Sequence, residues 1–174
     1  MISKDLLPEK ICLEDYGGDY KAYIDAIYEV FARDFIRHKT SFGLHKLSMK
    51  YHPAFQERAY TFYHMTHKGE IESEREPDLR RCECMPWARP TIENTEEWDL
   101  KFWRQTRQRS SNRVCIALET ESETYFVILE VRESYAFALD CNFCLNTAIN
   151  RRKSSRNLKS GNKGKAVKSI LPMN

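Results

Sequence analysis

Two histidines, His64 and His67, are the first residues whose spacing could do chemistry. Because imidazole titrates near neutral pH, a histidine can transfer a proton, and a His-x-x-His pair could also bind a metal ion. The alternative is that both side chains are half-buried and held by ordinary hydrogen bonds. We take His64 as the candidate acid–base residue and assign no metal to the pair.

Arginines crowd the central region, with aromatic residues interleaved among them. The arginines are Arg75, Arg80, Arg81, Arg89, Arg104, Arg107, Arg109, Arg113 and Arg132, and the aromatic residues are Trp87, Trp98, Trp103 and Tyr135. A planar guanidinium group can bind phosphate through two parallel hydrogen bonds, and flat rings can stack on unpaired bases. This pattern favours RNA as a partner, with RNA contacts expected at Arg75, Trp87, Trp103 and Arg104. The alternative is a salt-bridged surface, because acidic residues alternate with the arginines.

Cysteines provide a weaker candidate, a zinc site. Cys82-x-Cys84 and Cys141-x-x-Cys144 together supply four thiols, and four thiolates can bind zinc. The single residue inside the first pair is unusual for a zinc knuckle, so buried or incidental thiols are the favoured interpretation. The sequence has no Walker loop, dinucleotide fingerprint, HExxH or GxSxG motif, and we expect no cofactor. It also lacks the acidic cluster of a two-metal nuclease, so a nuclease here would work without metal.

Charge is distributed unevenly along the 174 residues. Residues 151–174 carry eight Lys or Arg and no acid, which leaves 20 basic and 25 acidic residues in 1–150. A body with this acidic excess would need a local arginine cluster to contact RNA. No apolar run is long enough to span a membrane, and the N-terminal residues do not form a signal peptide, so we expect a cytoplasmic protein with reduced cysteines.

The elements that must position these residues follow from hydrophobic periodicity. Apolar residues between 20 and 37 recur at helical spacing after Asp19, a good N-cap. Residue types alternate along 113–118 and 124–131, which predicts two adjacent antiparallel strands of a hairpin. A further strand is predicted at 135–139. We therefore expect an α+β fold, with an N-terminal helix or helices packed on an antiparallel sheet.

Other segments give shorter patterns. Ranges 44–51 and 58–65 are predicted as strands, the second because it is rich in Tyr, Thr and Phe. Pro86 precedes residues 87–92 and Pro90 lies within them, so this segment is predicted to be extended. Residues 98–106 are predicted to form a short helix or loop. Residues 1–150 are expected to form one domain, and 151–174 have the composition of a disordered tail.

Several motifs in residues 20–137 together resemble a known family. They are Phe42-Gly43, Tyr60-Thr61-Phe62-Tyr63-His64, Arg75-Glu76-Pro77-Asp78-Leu79-Arg80-Arg81-Cys82, Pro86-Trp87, Ile92-Glu93-Asn94, and the strand pair that ends in Arg132. The chain resembles phage- and prophage-encoded nucleases of the BECR class, which unites barnase, EndoU, colicin-type and RelE-like enzymes.

The resemblance implies helices packed on an antiparallel sheet and metal-independent ribonuclease chemistry. In that chemistry the RNA 2′-hydroxyl attacks its own phosphate, while side chains move protons and cations stabilise the phosphorane. On this sequence His64 is the implied base or acid, and Tyr135 is an implied donor. Arg80, Arg81 and Arg132 would stabilise the phosphate. A toxin of this kind would have an antitoxin or immunity protein as a second partner, besides RNA.

The chain departs from the family pattern after Tyr135. Members of the family continue with a further strand and a charged helix, whereas residues 138–144 read ALDCNFC and the basic tail follows. Our hypothesis is that the last part of the family domain has been lost. That leaves a second function open, a non-catalytic or degenerate interaction module derived from such a toxin.

Overall fold

Helix α1 (Tyr20–Phe31) is the first long element of the computed structural model, which describes residues 1–107, 110–132 and 135–145. The Asp19 carboxylate caps it by accepting a 3.1 Å hydrogen bond from the Ala22 amide. The chain continues as a π-helical turn, Ala32–Arg37, so the predicted helix over 20–37 is confirmed. Its apolar stripe is buried, with Ile27 and Phe31 fully inaccessible to solvent.

In the described part of the chain, six strands form one sheet in the order β1-β2-β8-β7-β6-β5. The strands are β1 (Ser41–Phe42), β2 (His45–Ser48), β5 (Lys101–Arg107), β6 (Ser110–Glu119), β7 (Glu123–Val131) and β8 (Tyr135–Leu145). All neighbouring strands are antiparallel except β2 and β8, which are parallel. A second, two-stranded sheet pairs β3 (His67–Lys68) with β4 (Glu76–Pro77).

The β6–β7 hairpin matches the sequence prediction closely. Ile116 lies opposite Val127 in the register, and the predicted inward faces, Val114-Ile116-Leu118 and Tyr125-Val127-Leu129, are all buried in the main core. The predicted strand at 135–139 is also present and extends to Leu145 as β8. Strand β8 also pairs with β2, in parallel, which no local sequence pattern indicates.

Three further helices complete the α-helical layer among the described residues: α2 (Tyr60–Thr66), α3 (Leu79–Glu83) and α4 (Met85–Glu93). They contribute Phe62, Met65, Ala88 and Ile92 to the core that α1 and the inner face of the sheet share. The expected α+β architecture, with N-terminal helices packed on a mostly antiparallel sheet, is confirmed.

The prediction of a strand at 58–65 is wrong, because this segment enters helix α2 (Tyr60–Thr66). Phe62 and Met65 are three residues apart and both buried, which matches one face of a helix. The Thr66 hydroxyl donates a 2.7 Å hydrogen bond to the Phe62 carbonyl one turn earlier. Burial of one helical face therefore outweighs the strand propensity of Tyr, Thr and Phe.

Two other segment predictions are also wrong. Residues 87–92 lie in α4 rather than in an extended segment, since Pro86 occupies the first turn, where its missing N–H costs nothing. Pro90 then loses only one intrahelical bond, the one to the carbonyl four residues earlier. Residues 98–106 contain edge strand β5 rather than a helix or loop, and β5 begins after Asp99, which has a φ of 47°. The predicted tail, 151–174, and the domain boundary at 150 lie outside the described residues.

A tight two-residue turn joins Phe55 to Arg58, whose main chains form two mutual hydrogen bonds of 3.0 and 2.9 Å. The central residues, Gln56 and Glu57, have φ values of 47° and 62°. Positive φ at both positions is the pattern of a type I′ turn, which favours Asn-Gly. Side chains such as these are strained there.

Replacing Gln56 and Glu57 together by Asn and Gly should raise the free energy of unfolding by about 1 kcal/mol, because the new residues accept positive φ with less strain. Chemical denaturation of the full chain measures it. Glu97→Gly is the control, since Glu97 is also exposed and is not among the residues with positive φ. A double variant that is no more stable than the parent would show that the turn is not strained.

Candidate active site around His64

Helix α2 places Tyr60 and His64 one turn apart on the same face. Their rings lie 4.3 Å apart between centroids, with an interplanar angle of 38°. The core side of α2 is fixed by Phe62 and Met65, so Tyr60 and His64 face away from it. The His64 side chain retains 18% of its surface exposed, enough for contact with a ligand from solvent.

Glu72 is the partner of His64 in the folded protein. It lies in a short 3-10 turn, Glu72–Glu74, between β3 and β4, and its Oε1 is 2.7 Å from His64 Nε2. The Tyr60 hydroxyl also hydrogen bonds to this carboxylate. Burial opposes ionisation of Glu72, yet the bonds from His64 and Tyr60, with the charge of Arg75, hold the pKa of its carboxyl below the usual value.

The His64–Glu72 pair has the geometry of a base held by a carboxylate. When an ionised carboxylate accepts a hydrogen bond from Nε2, the neutral imidazole carries its lone pair on Nδ1. The tautomer is inferred from this hydrogen bond. His64 can then accept a proton at Nδ1, and Glu72 stabilises the imidazolium that forms.

Arg81 and Arg75 supply positive charge next to this pair. Arg81 Nη1 donates to the main-chain carbonyls of His67 at 3.0 Å and His64 at 3.4 Å, where α2 ends. Arg75 Nη1 donates to the His67 carbonyl at 3.4 Å. Cations at this end of a helix also complement its dipole. Arg75 and Arg81, both predicted as site residues, therefore lie next to His64. They also bond to carbonyls at the end of α2, a structural role that was not predicted.

His67 differs from His64 because it is buried. Its ring lies 4.4 Å from that of Tyr63, and Nδ1 is 2.9 Å from the Thr66 hydroxyl. Burial, together with nearby arginines, lowers the pKa of His67 to about 4, so the ring is neutral at physiological pH. Among the residues whose side chains are described, no group of three or more His, Cys, Asp or Glu is arranged to hold a metal ion.

The remaining predicted catalytic residues contact other groups. Arg80 is exposed on α3. Arg132 follows β7 and bonds to Glu130 at 2.7 Å and to the Tyr135 hydroxyl at 3.2 Å. Arg132 also lies over the rings of Tyr135 and Phe137. Arg132 and Tyr135 thus contact each other, whereas the His64 side chain contacts Glu72, Tyr60 and Tyr63.

Two of the predicted RNA-binding residues are part of the hydrophobic interior. Trp87 is 3% exposed, and its Nε1 donates a 2.8 Å hydrogen bond to the Pro8 carbonyl. Trp103 is 5% exposed and packs with Phe126 in a smaller cluster on the opposite face of the sheet. Because a buried indole cannot stack on a base, the expectation for both tryptophans is corrected. Arg104 is exposed on edge strand β5.

The first cysteine pair is buried as well. Cys82 and Cys84 are free thiols with no exposed surface. Burial raises the pKa of each thiol to about 12, so both are protonated at physiological pH. The side chains of Cys141 and Cys144 lie outside the described residues. The buried-thiol interpretation is confirmed for the first pair.

Glu72 and Tyr60 are the site residues that the sequence analysis missed. Glu72 is one of several acidic residues that alternate with the arginines, and its place eight residues after His64 does not by itself indicate a pair. Tyr60 was in a predicted strand, where residues four apart are about 13 Å from each other rather than neighbours. A prediction of helix at 60–66 would have placed Tyr60 next to His64, because residues four apart are neighbours on a helix.

Comparison of the chain with protein-family models, with curated proteins and with solved structures found no match. The resemblance to BECR-class nucleases therefore stays a prediction. No helix among the described residues is long and apolar enough to cross a membrane.

Arg81→Ala should lower the free energy of unfolding by about 1.5–3 kcal/mol, because it removes charged hydrogen bonds to carbonyls at the end of α2. The Arg81 side chain is only 11% exposed, so water replaces those bonds poorly. Arg80→Ala is the matched control, since Arg80 is the exposed neighbour on the same helix and should change stability by less than about 0.5 kcal/mol. Urea denaturation measures both, and equal effects would contradict the assigned role of Arg81.

His67 should make the protein less stable in acid. Its folded pKa, about 4, is below the ordinary value of 6.5. Above pH 6.5 both states are neutral and His67 has no pH-dependent effect, whereas between pH 6.5 and 4 the unfolded chain binds a proton that the folded chain excludes. Stability should therefore fall by about 3 kcal/mol from this residue as pH falls through that window.

The comparison variant is His67→Phe, which retains a ring against Tyr63 and removes the titrating group. Denaturation at pH 7, 5.5 and 4 should show a smaller loss in the variant than in the parent. Equal slopes in the two proteins would mean that His67 is not excluded from protonation by the fold.

Proposed function

We propose that this protein is a metal-independent endoribonuclease. In this proposal His64 transfers the proton, and Glu72 orients the His64 ring and stabilises its imidazolium form. The observation that carries the proposal is the 2.7 Å contact between His64 Nε2 and Glu72 Oε1 on an accessible helix face. The Tyr60 hydroxyl reinforces this arrangement by bonding to the same carboxylate. The resemblance to phage-type toxins agrees with this chemistry.

The reaction begins when His64 removes the proton from an RNA 2′-hydroxyl. The 2′-oxygen then forms a bond to the adjacent phosphorus, and the bond from phosphorus to the 5′-oxygen of the next nucleotide breaks. The products are a 2′,3′-cyclic phosphate and a 5′-hydroxyl, whose proton comes from a general acid or water. The charge of Arg75 and Arg81 beside the pair would stabilise the phosphorane.

A non-catalytic interaction module is the second candidate, and the arginine contacts favour it. Arg81 and Arg75 bond to carbonyls of α2, and Arg132 bonds to Glu130. Guanidinium groups engaged in this way are less available to a phosphate than free ones. Such a module would bind a protein partner, such as an antitoxin, without cleaving RNA.

His64→Ala should reduce the rate of RNA cleavage roughly 10²–10⁴-fold, the usual contribution of one general acid or base. Glu72→Gln should also reduce the rate, because the amide cannot stabilise an imidazolium as a carboxylate does. His52→Ala is the control, since His52 is exposed and lies outside the pair. The assay uses the full chain and single-stranded RNA, with a thermal melt of each variant.

Arg132→Ala tests, in the same assay, the sequence-based prediction that Arg132 stabilises the phosphate. A loss comparable to that of His64→Ala would bring the Arg132–Tyr135 cluster into the active site. Cleavage by His64→Ala at the parental rate would contradict the role of His64. A folded parent that does not cleave RNA would favour the interaction module.

A further inference from the structure

Phe55 is an exposed aromatic residue held by the strained turn described above. The side chain is 40% exposed, although a phenyl ring gains free energy when it is buried. The other end of the turn is anchored, because Arg58 forms an ion pair with Asp25 of α1 and lies over the ring of Tyr28. The contacts of Arg58 with α1 therefore fix the position of the turn and of Phe55.

Phe55 is the exposed member of a cluster of three rings. Its centroid is 4.3 Å from that of Tyr63, with an interplanar angle of 35°, and Tyr63 lies 4.4 Å from His67 at 40°. Phe55 also meets the His67 ring edge to face, at 6.1 Å. Tyr63 and His67 are only 4% and 7% exposed. Two buried rings thus support Phe55, which is the ring of the cluster that solvent reaches.

The ring cluster adjoins the candidate active site. Tyr63 and His64 are neighbours on α2, and their ring centroids are 6.2 Å apart. Positive charge lies on the same side of the molecule, since Lys50 Nζ is 4.1 Å from the centroid of the Tyr60 ring, which itself stacks on His64. Positive charge and exposed aromatic rings are the parts that a site for single-stranded nucleic acid combines, and here both lie next to the His64–Glu72 pair.

We propose that Phe55 is a stacking platform for an unpaired base of single-stranded RNA, next to the nucleotide whose phosphate lies at His64. The proposal rests on the ribonuclease function proposed above and names a subsite for its substrate. Stacking tolerates any base, because every base offers a flat face, so the subsite would select unpaired RNA rather than a sequence. The backbone strain at Gln56 and Glu57 is then the energetic cost of holding the ring in solvent. Strained backbone is common at binding sites for this kind of reason.

The test measures binding separately from cleavage. The probe is a short 2′-O-methyl oligonucleotide, which cannot be cleaved by 2′-hydroxyl attack, and its affinity for the full chain is measured by fluorescence anisotropy at low salt. A second probe of equal length carries abasic residues, which keep the phosphates and remove the bases. The parent should bind the abasic probe more weakly.

Phe55→Ala should weaken binding of the first probe roughly 5- to 150-fold, the range expected for one base–aromatic stack, and should reduce the difference between the two probes. Phe55→Tyr should bind like the parent, because it keeps the ring. Leu44→Ala is the control, since Leu44 is an exposed apolar residue in the β1–β2 turn. Thermal melts identify any variant that fails to fold.

The outcomes separate the two proposals. Base-dependent binding by a parent that does not cleave RNA supports the platform and overturns the ribonuclease. Cleavage by the parent with equal affinity in Phe55→Ala overturns the platform alone. Equal affinity of the parent for the two probes also overturns the platform, and binding of a protein partner that Phe55→Ala abolishes would reassign the ring to a protein interface.

Discussion

The packing of Phe62 against α1 is the contact on which the geometry of the candidate site depends. Its ring lies 5.3 Å from that of Phe31 and 4.9 Å from that of Tyr28, both in edge-to-face arrangements. Such contacts add to the free energy of burying the rings and also fix their orientation. Because α2 has only seven residues, one anchored ring determines which way its other side chains point. Tyr60 and His64 face outward for this reason.

The loop after α2 must then return Glu72 to His64, and a glycine permits this. Gly69 has a φ of 143°, and a Cβ at this position would lie 3.2 Å from the Cα of Arg75. Only glycine adopts such a backbone readily and leaves room for the approaching chain. The close approach brings Arg75 towards the His67 carbonyl and Glu72 towards His64, so one backbone constraint positions both charges.

The sequence was informative where a local pattern reports burial. Alternation along 113–118 and 124–131 and the helical stripe over 20–37 repeat often enough to identify their elements. The short helix α2 could not be identified in this way, because its residues favour strands and its helical state depends on Phe62 meeting α1. Pairing of β2 with β8 joins segments about ninety residues apart and has no local signal. The arginine cluster was foreseen in composition, but which arginines approach His64 depends on those nonlocal contacts.

The arginines beside His64 are engaged in contacts within the fold, and the proposed ribonuclease function would make a second demand on the same groups. Arg81 stabilises the end of α2 through carbonyl bonds from a single nitrogen, Nη1, while a phosphate at His64 would attract the same charge. A guanidinium group has five N–H donors in a planar fork, and another part of the Arg81 fork faces Asp78, whose Oδ2 lies 3.8 Å from Nε. A lysine in this position would have one nitrogen for both demands. Arginine therefore suits this position, because its forked side chain bonds to the end of α2 and reaches Asp78 while keeping positive charge beside His64.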